Sequence, residues 1–215
     1  MKIFVSANEQ QQNELRSFKA DQKNELLFSI DNPKAEDYKY YDVFFIFSNS
    51  WKELDFQNFV SKPVFINMVV ETLFDYDFQA NVNRINGWPG FIKNPLWEIV
   101  SSEPERVKDI FKSLNRKVTF VDDEPGFVSA RVISMIINEA FFTLGQNISS
   151  MEEIDVAMKS GTNYPQGPFE WAKETGIENI YHLLEKLSRK DDRYLPAPAL
   201  HKHYLERYEM LIYNK

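Results

Sequence analysis

Apolar positions in this chain follow two regimes that meet near residue 122. Before that point, short apolar runs recur at intervals: Met1–Ala7, Glu25–Asp31, Asp42–Phe47, Lys62–Val70, Val82–Ile85, Leu96–Val100 and Lys117–Val121. Each has the length and the β-branched or aromatic content of a strand. Asp42–Phe47, apolar after its first residue, suits a strand buried on both faces. Between the runs, Asn8–Ala20 reads as a weak helix around Leu15 and Phe18, Leu54–Val60 as a short helix, and Pro104–Leu114 as a helix. Strands alternating with short helices or loops predict a mostly parallel, doubly wound sheet.

After Pro125-Gly126 the period changes. Phe127–Leu144 is one apolar run, enough for about four to five helical turns. Ile133, Ile136, Ile137, Ala140 and Leu144 recur at helical spacing and predict one buried face. Val128, Val132, Met135 and Phe142 form a second apolar stripe. A helix apolar on two sides is wrapped by its own domain or shared with another subunit. Ser149 and Glu152 predict a capping box opening a helix that carries Ile154, Ala157 and Met158 and ends at Gly161. Thr162–Gly167 reads as a loop, Pro168 as the first residue of a helix, and Gly176 as the residue just past its end. Ile177, Ile180, Leu184 and Leu187 then predict a further amphipathic helix. The expected domains are residues 1–122 and 123–215.

Composition excludes several classes. A net charge of −7 opposes binding to nucleic acid, whose phosphates need a basic face. With no cysteine there is no disulfide, thiolate metal site or cysteine nucleophile. No apolar segment follows Met1 as a leader would, and Arg131, Asn138 and Glu139 interrupt the longest apolar run, so the expectation is a cytoplasmic protein with no membrane partner. The 18 Phe and 10 Tyr predict large aromatic cores.

Five pieces stand in order in the second half: PGF at Pro125–Phe127, NEA at Asn138–Ala140, ID-x-AMK-x-G at Ile154–Gly161, YP-x-GPFE at Tyr164–Glu170, and RY-x-P-x-P-x-L at Arg193–Leu200. Together they resemble the C-terminal, helical, dimer-forming domain of the 3-hydroxyacyl-CoA dehydrogenase family, a likeness extending over residues 96–200. The resemblance implies an α/β Rossmann-like N-terminal domain with a mostly parallel sheet, followed by an all-α dimerisation domain. The N-terminal domain is shortened here to roughly 120 residues, the size of one ordinary domain, with the deletion mainly between the first and third strands. The resemblance also implies NAD as cofactor, an acyl-CoA-like ligand and a homodimer formed through Phe127–Leu144. It implies no metal.

The family's chemistry maps incompletely onto this sequence. A glycine-rich turn should follow the first strand, so that the backbone and a helix N-terminus can hold the pyrophosphate. Here the turn reads Ser6-Ala7-Asn8-Glu9-Gln10-Gln11, no glycine precedes Gly87, and Glu9 adds a carboxylate where phosphates would sit. Ser6 and Asp31 are the remaining candidates for cofactor binding; Asp31 stands where the family's ribose-binding acid would, or forms a turn ahead of Asn32-Pro33. Leu96–Val100 matches the strand bearing the family's catalytic glutamate, and Glu98 matches that residue. Its histidine partner is replaced by Asn86 in an ungapped alignment, or by Pro89 if the glycines are aligned. The family's serine turn has become Ile66–Val70, and its catalytic asparagine is Ala130. Glu98 then remains as a relic or forms an ion pair with Arg84 or Arg131. Lys173 stands where the family usually has an aspartate. The three histidines, His182, His201 and His203, all lie late and are not placed for catalysis. Trp88, Phe91 and Trp97 are candidates for core packing or for an apolar pocket wall.

Proton-transfer assistance is typically worth ~10²–10⁴-fold, and neither Asn nor Pro can supply a base. The leading reading is therefore a catalytically impaired or repurposed relative that binds an acyl-CoA-like or other small ligand as a dimer. The alternatives are an active NAD-dependent dehydrogenase using rearranged residues, and a subunit that pairs with a catalytic homologue.

Overall fold

A computed structural model describes residues 1–16, 23–59 and 61–213, in two compact units, Met1–Phe127 and Val128–Lys215. The first unit carries seven strands: β1 (Lys2–Ser6), β2 (Glu25–Ser29), β3 (Val43–Ile46), β4 (Val64–Asn67), β5 (Val82–Ile85), β6 (Leu96–Val100) and β7 (Lys117–Phe120). They form one sheet in the order β2-β1-β3-β4-β5-β6-β7. Pairing is parallel from β2 to β5, turns antiparallel between β5 and β6, and is parallel again between β6 and β7. The expected mostly parallel sheet is present, and every strand run assigned from the sequence contains one of these strands.

All four residues of β3 are buried, as are all four of β4, because both faces of the sheet are covered. On one face Phe45 stacks on Phe65 with ring centroids 4.7 Å apart, and Trp97 and Phe111 meet Phe45 edge-on. On the other, Phe44 packs against Phe4 and Phe59. Rings of this size bury a large apolar area for few rotatable bonds, so two thin cores suffice for a short sheet.

The crossovers are lean. Helix α1 (Glu9–Arg16) follows β1, α2 (Asp37–Tyr40) precedes β3, and α3 (Pro104–Ser113) joins β6 to β7. Of the weak helix expected over Asn8–Ala20, Phe18 and Ala20 lie outside the described residues. The buried residues of α1 are Gln11 and Gln12, not an apolar stripe. The helix expected at Leu54–Val60 is corrected to a single 3-10 turn at Phe56–Phe59, with Val60 outside the described residues.

The second unit is helical: α4 (Ser129–Gly145), α5 (Met151–Thr162), α6 (Pro168–Thr175), α7 (Ile177–Ser188) and α8 (Pro198–Tyr213). The buried face of α4 is rotated in part from the expected one. Ile137 and Ala140 are buried as expected, together with Ala130, Ser134, Asn138 and Phe141, while Ile133, Ile136 and Leu144 are half-buried. Asn138 draws the helix round, because its Nδ2 donates to Leu195 O (2.9 Å) and its Oδ1 accepts from Ala197 N (2.7 Å). That pair of bonds holds the Leu195–Pro198 segment that starts α8.

Helix α5 opens one residue later than expected. Ser150 is the cap, accepting from Glu153 N, and Glu153 accepts from Ser150 N; Ser149 donates to the same Glu153 carboxylate at 2.6 Å. The helix also runs past Gly161, ending where Asn163 takes the left-handed conformation at φ 57. Asp155 of α5 caps α6, its two carboxylate oxygens accepting from Phe169 N (2.8 Å) and Glu170 N (3.1 Å). Gly167 is required beside it, since a Cβ there would overlap the Asp155 carboxylate.

The units divide five residues later than the sequence suggested, between Phe127 and Val128 rather than after residue 122. Residues 123–127 are tied to the sheet unit: Asp123 pairs with Arg84, Gly126 N donates to Val69 O at 2.8 Å, and the Phe127 ring lies 4.6 Å from the Arg84 guanidinium. No helix among the described residues is long and apolar enough to cross a membrane.

Candidate functional site

In an open parallel sheet, ligands bind beyond the C-terminal strand ends where the strand order reverses. Here that point lies between β1 and β3, and the surrounding ends are Ser6 of β1, Phe47 after β3, Asn67 of β4 and Gly87 after β5. Side-chain amides close this crevice. Gln11, 2% exposed, sends its Nε2 to Gly87 O at 2.8 Å and to Phe47 O at 3.2 Å. Asn67 Nδ2 donates to the same Phe47 carbonyl at 3.1 Å, while its Oδ1 accepts from Gly87 N at 3.0 Å. Gly87 permits this closeness, because a Cβ there would run into the Phe47 ring. One turn further along α1, Glu14 accepts from Gly90 N (2.8 Å) and Lys93 N (3.2 Å). Helix α1 is thereby fastened to the segment after β5 at two successive positions.

A dinucleotide needs open amides at this helix start. Gln11 N donates instead to Asn8 Oδ1 (2.9 Å), and Asn8 N to Gln11 Oε1 (3.0 Å), a reciprocal cap. Gln12 Nε2 reaches back to Ala7 O at 2.9 Å, and the Glu9 carboxylate stands exposed in the first turn. The backbone donors of Asn8 and Gln11 are taken by the chain itself, and Glu9 sets a carboxylate beside them. These residues do not fit NAD.

The sequence candidates separate into two places. Ser6 is fully buried and donates to Ser48 Oγ at 3.0 Å, within a hydroxyl cluster completed by Ser50 and Asn32. Asp31 is exposed beyond β2, with its backbone N held by Ser29 Oγ at 3.0 Å. Asn86 follows β5 and Glu98 lies on β6. The antiparallel register pairs Arg84 with Val100 and Ile85 with Ile99; continued one step past the end of β5, it would set Asn86 opposite Glu98. Asn86 is buried and Glu98 half-buried. Cross-strand neighbours of this kind lie roughly 5 Å apart at Cβ. An amide beside a carboxylate can share a hydrogen bond but cannot take up a substrate proton as imidazole does.

Arg84 is paired with Asp123. Its fully buried guanidinium goes to Asp123 and to the carbonyls of Met68 (2.9 Å), Glu124 (3.2 Å) and Val69 (3.4 Å). Burial pushes its pKa below the usual arginine value, against the upward pull of Asp123. Asp123 also accepts from Leu73 N (3.1 Å) and Phe74 N (3.0 Å), so the loop after β4 is bound into the same arrangement. Trp88 and Trp97 are buried, and Trp97 belongs to the sheet's aromatic core with its Nε1 donating to Ile92 O. His182 and His201 are exposed, and among the described residues no group of three or more His, Asp or Glu could hold a metal ion.

The fold defines a class: a Rossmann-type sheet followed by a helical domain. Residues 126–209 match the family model for the 3-hydroxyacyl-CoA dehydrogenase C-terminal domain. It is 38% identical over 92 residues to a 3-hydroxyadipyl-CoA dehydrogenase of Escherichia coli, covering 42% of this chain and 19% of that protein. It is 34% identical over 101 residues to a 3-hydroxybutyryl-CoA dehydrogenase of Bradyrhizobium diazoefficiens, covering 46% of this chain and 34% of that protein. The matched stretch thus spans only about a fifth to a third of these relatives. Among solved structures, an (S)-3-hydroxybutyryl-CoA dehydrogenase from Ralstonia eutropha superimposes with a TM-score of 0.67 at 23% identity, over 86% of this chain and 71% of the other. FadB2 of M. tuberculosis does so with a TM-score of 0.69 at 14% identity, over 95% and 93%. At these identities the likeness is one of fold.

Proposed function

We propose that this chain is a 3-hydroxyacyl-CoA dehydrogenase-like protein without hydride transfer, acting in the cytoplasm as a dimeric binding or regulatory protein for an acyl-CoA-like or other small ligand. The observation that carries the reading is Gln11. Its carboxamide occupies the strand-end crevice and bridges the carbonyls of Phe47 and Gly87, where a dinucleotide would need open backbone and free amides. The residue types support the same reading, since Asn86 or Pro89 stands where the family's histidine would and no histidine precedes His182.

The dimer is supported by α4. Val128 (59% exposed), Val132 (53%) and Phe142 (37%) form an apolar stripe on the side turned away from the unit's own core. An apolar stripe of this kind, on a helix whose other side is already packed, suits a self-complementary contact with a second copy.

Thermal melting with NAD, NADH, acetoacetyl-CoA and free CoA tests the reading, alongside absorbance at the NADH band. A ligand present at ~100 times its dissociation constant adds about 2.7 kcal/mol to the folded state. The expected result is a shift with acetoacetyl-CoA and none with NAD or NADH. A shift with NADH, accompanied by acetoacetyl-CoA-dependent NADH oxidation, would instead establish the active-enzyme reading.

A further inference from the structure

The helical unit contains two adjoining hollows of about 420 and 470 Å³, the first between α4, α5, α6 and α8 and the second between α4, α5 and α8, both lined by Phe141, Met151 and His203. Their sizes fall within the roughly 300–1,000 Å³ of small-molecule sites. Phe169 and Ile177 extend the apolar floor of the first, and Leu144 that of the second. Around this floor stand Lys173 and Arg207 in the first hollow and Lys202 in the second, with His203 between them.

The carboxylates at the same rim are largely engaged. Asp155 accepts from the amides of Phe169 and Glu170, and Glu170 pairs with Lys159 and accepts from Gly167 N. Glu152 lies in the first turn of α5. The cations are held less firmly. Arg207 lies 3.9 Å from Glu178 and Lys202 lies 3.8 Å from Glu206, all of them substantially exposed. Exposed pairs of this length contribute little and yield readily to a better partner. Lys173 is exposed and adds a positive charge to the rim.

We infer that this groove binds an amphiphile, an apolar chain lying on Phe141, Met151 and Phe169 with an anionic head held by Lys173 and Arg207. The inference deepens the ligand-binding reading above, resting on it only in that the chain binds a small ligand, and it places that ligand wholly within the helical unit. A fatty carboxylate and an acyl-CoA present the same chemistry, so both are measured.

The test is equilibrium binding of decanoate, decanoyl-CoA and uncharged decanol to the full chain and to its Lys173→Asp and Lys173→Arg variants. Lys173 is exposed, and matched melting temperatures show that each variant folds. Saturable decanoate binding is expected, weakened at least tenfold by Lys173→Asp, retained within about threefold by Lys173→Arg, and stronger than that of decanol. Tighter binding of decanoyl-CoA than decanoate, equally sensitive to Lys173→Asp, would identify the thioester as the source. Absence of saturable binding by either anion, or equal affinity in the wild type and Lys173→Asp, overturns the inference. NADH binding alongside intact, Lys173-dependent decanoate binding would sink the loss of dehydrogenase chemistry and leave the groove standing.

Discussion

The Nε2 of Gln11 lies 2.8 Å from the carbonyl of Gly87, joining the first helix to the segment after the fifth strand across 76 residues of sequence. Phe47 O, the second acceptor, also receives Asn67 Nδ2. Removing the Gln11 carboxamide therefore strands Gly87 O much more than Phe47 O. For Gln11→Ala we expect a loss of ~1–3 kcal/mol, the cost of leaving a buried acceptor unpaired. Urea unfolding measures it, and an unchanged midpoint would show that water replaces the amide at no cost.

Arg84 and Asp123 should behave asymmetrically. The arginine is fully buried, while the aspartate side chain is 27% exposed. Arg84→Met leaves Asp123 with the Leu73 and Phe74 amides and withdraws the guanidinium from the carbonyls of Met68, Glu124 and Val69, of which Val69 O keeps Gly126 N, so the expected destabilisation is ~3–5 kcal/mol. Asp123→Asn keeps an acceptor for those amides and should cost less. Equal losses in the two variants, read from denaturant midpoints, would contradict this ordering.

The α5 cap predicts an acid-sensitive helical unit. Bonds from Ser149 and Ser150 hold the Glu153 carboxyl below its ordinary value of 4.5, and Lys159, with Gly167 N, does the same for Glu170. A carboxyl depressed on folding contributes stability that is complete above its unfolded value and is lost as pH falls through its folded value. Asp155 works in the opposite sense, since burial raises it above 3.8. Helical signal should thus weaken as pH drops below about 4.5, with a shallower dependence in Glu153→Gln. An identical pH profile in that variant would remove Glu153 from the account. Ser150→Ala should cost ~1 kcal/mol at neutral pH, as N-cap losses do.

Val132 is 53% exposed, so Val132→Glu should fold normally and abolish the proposed self-association. Sedimentation equilibrium distinguishes the outcomes. A wild-type monomer, or a variant that stays dimeric, excludes this stripe as the contact.

Gly167→Ala should be among the most damaging substitutions of the helical unit, because its Cβ would displace the Asp155 carboxylate from the amides of α6. Circular dichroism melting of the variant is the measurement, and a near-native melt would show that Asp155 has another position open to it.

Much of this architecture was legible because it rests on periodicity and punctuation. Leu96–Val100 is legible to the residue because it is bounded by Pro95 and by the polar pair Ser101-Ser102, and Val82–Ile85 is bounded by Asn81 and Asn86 although Asn83 and Arg84 interrupt its apolar character. The cap of α5 was misplaced by one because Ser149 and Ser150 both reach Glu153, and spacing alone does not choose between them. The face of α4 is legible only in part: Ile137 and Ala140 are buried as their spacing predicts, but Asn138, which is polar and bonds to a segment 57 residues away, gives no apolar signal. Gln11 escaped notice for a related reason. It sits in a polar helix without an apolar stripe, and the signal that marks it is the Asn8-x-x-Gln11 spacing of a reciprocal cap. The register that would set Asn86 opposite Glu98 depends on β6 running against β5, a reversal that no local pattern reveals.

The bonds of Asn138 to Leu195 and Ala197, and of Asp155 to Phe169 and Glu170, join the recognisable sequence pieces of the helical unit to one another. Those pieces are clips between helices, with both jaws inside a single unit. Selection for a folded helical unit alone would keep such a signature, whatever happened to the chemistry of the neighbouring sheet. Kinship read from these clips traces the ancestry of the scaffold, and a chain can bear it long after its ancestral trade has changed.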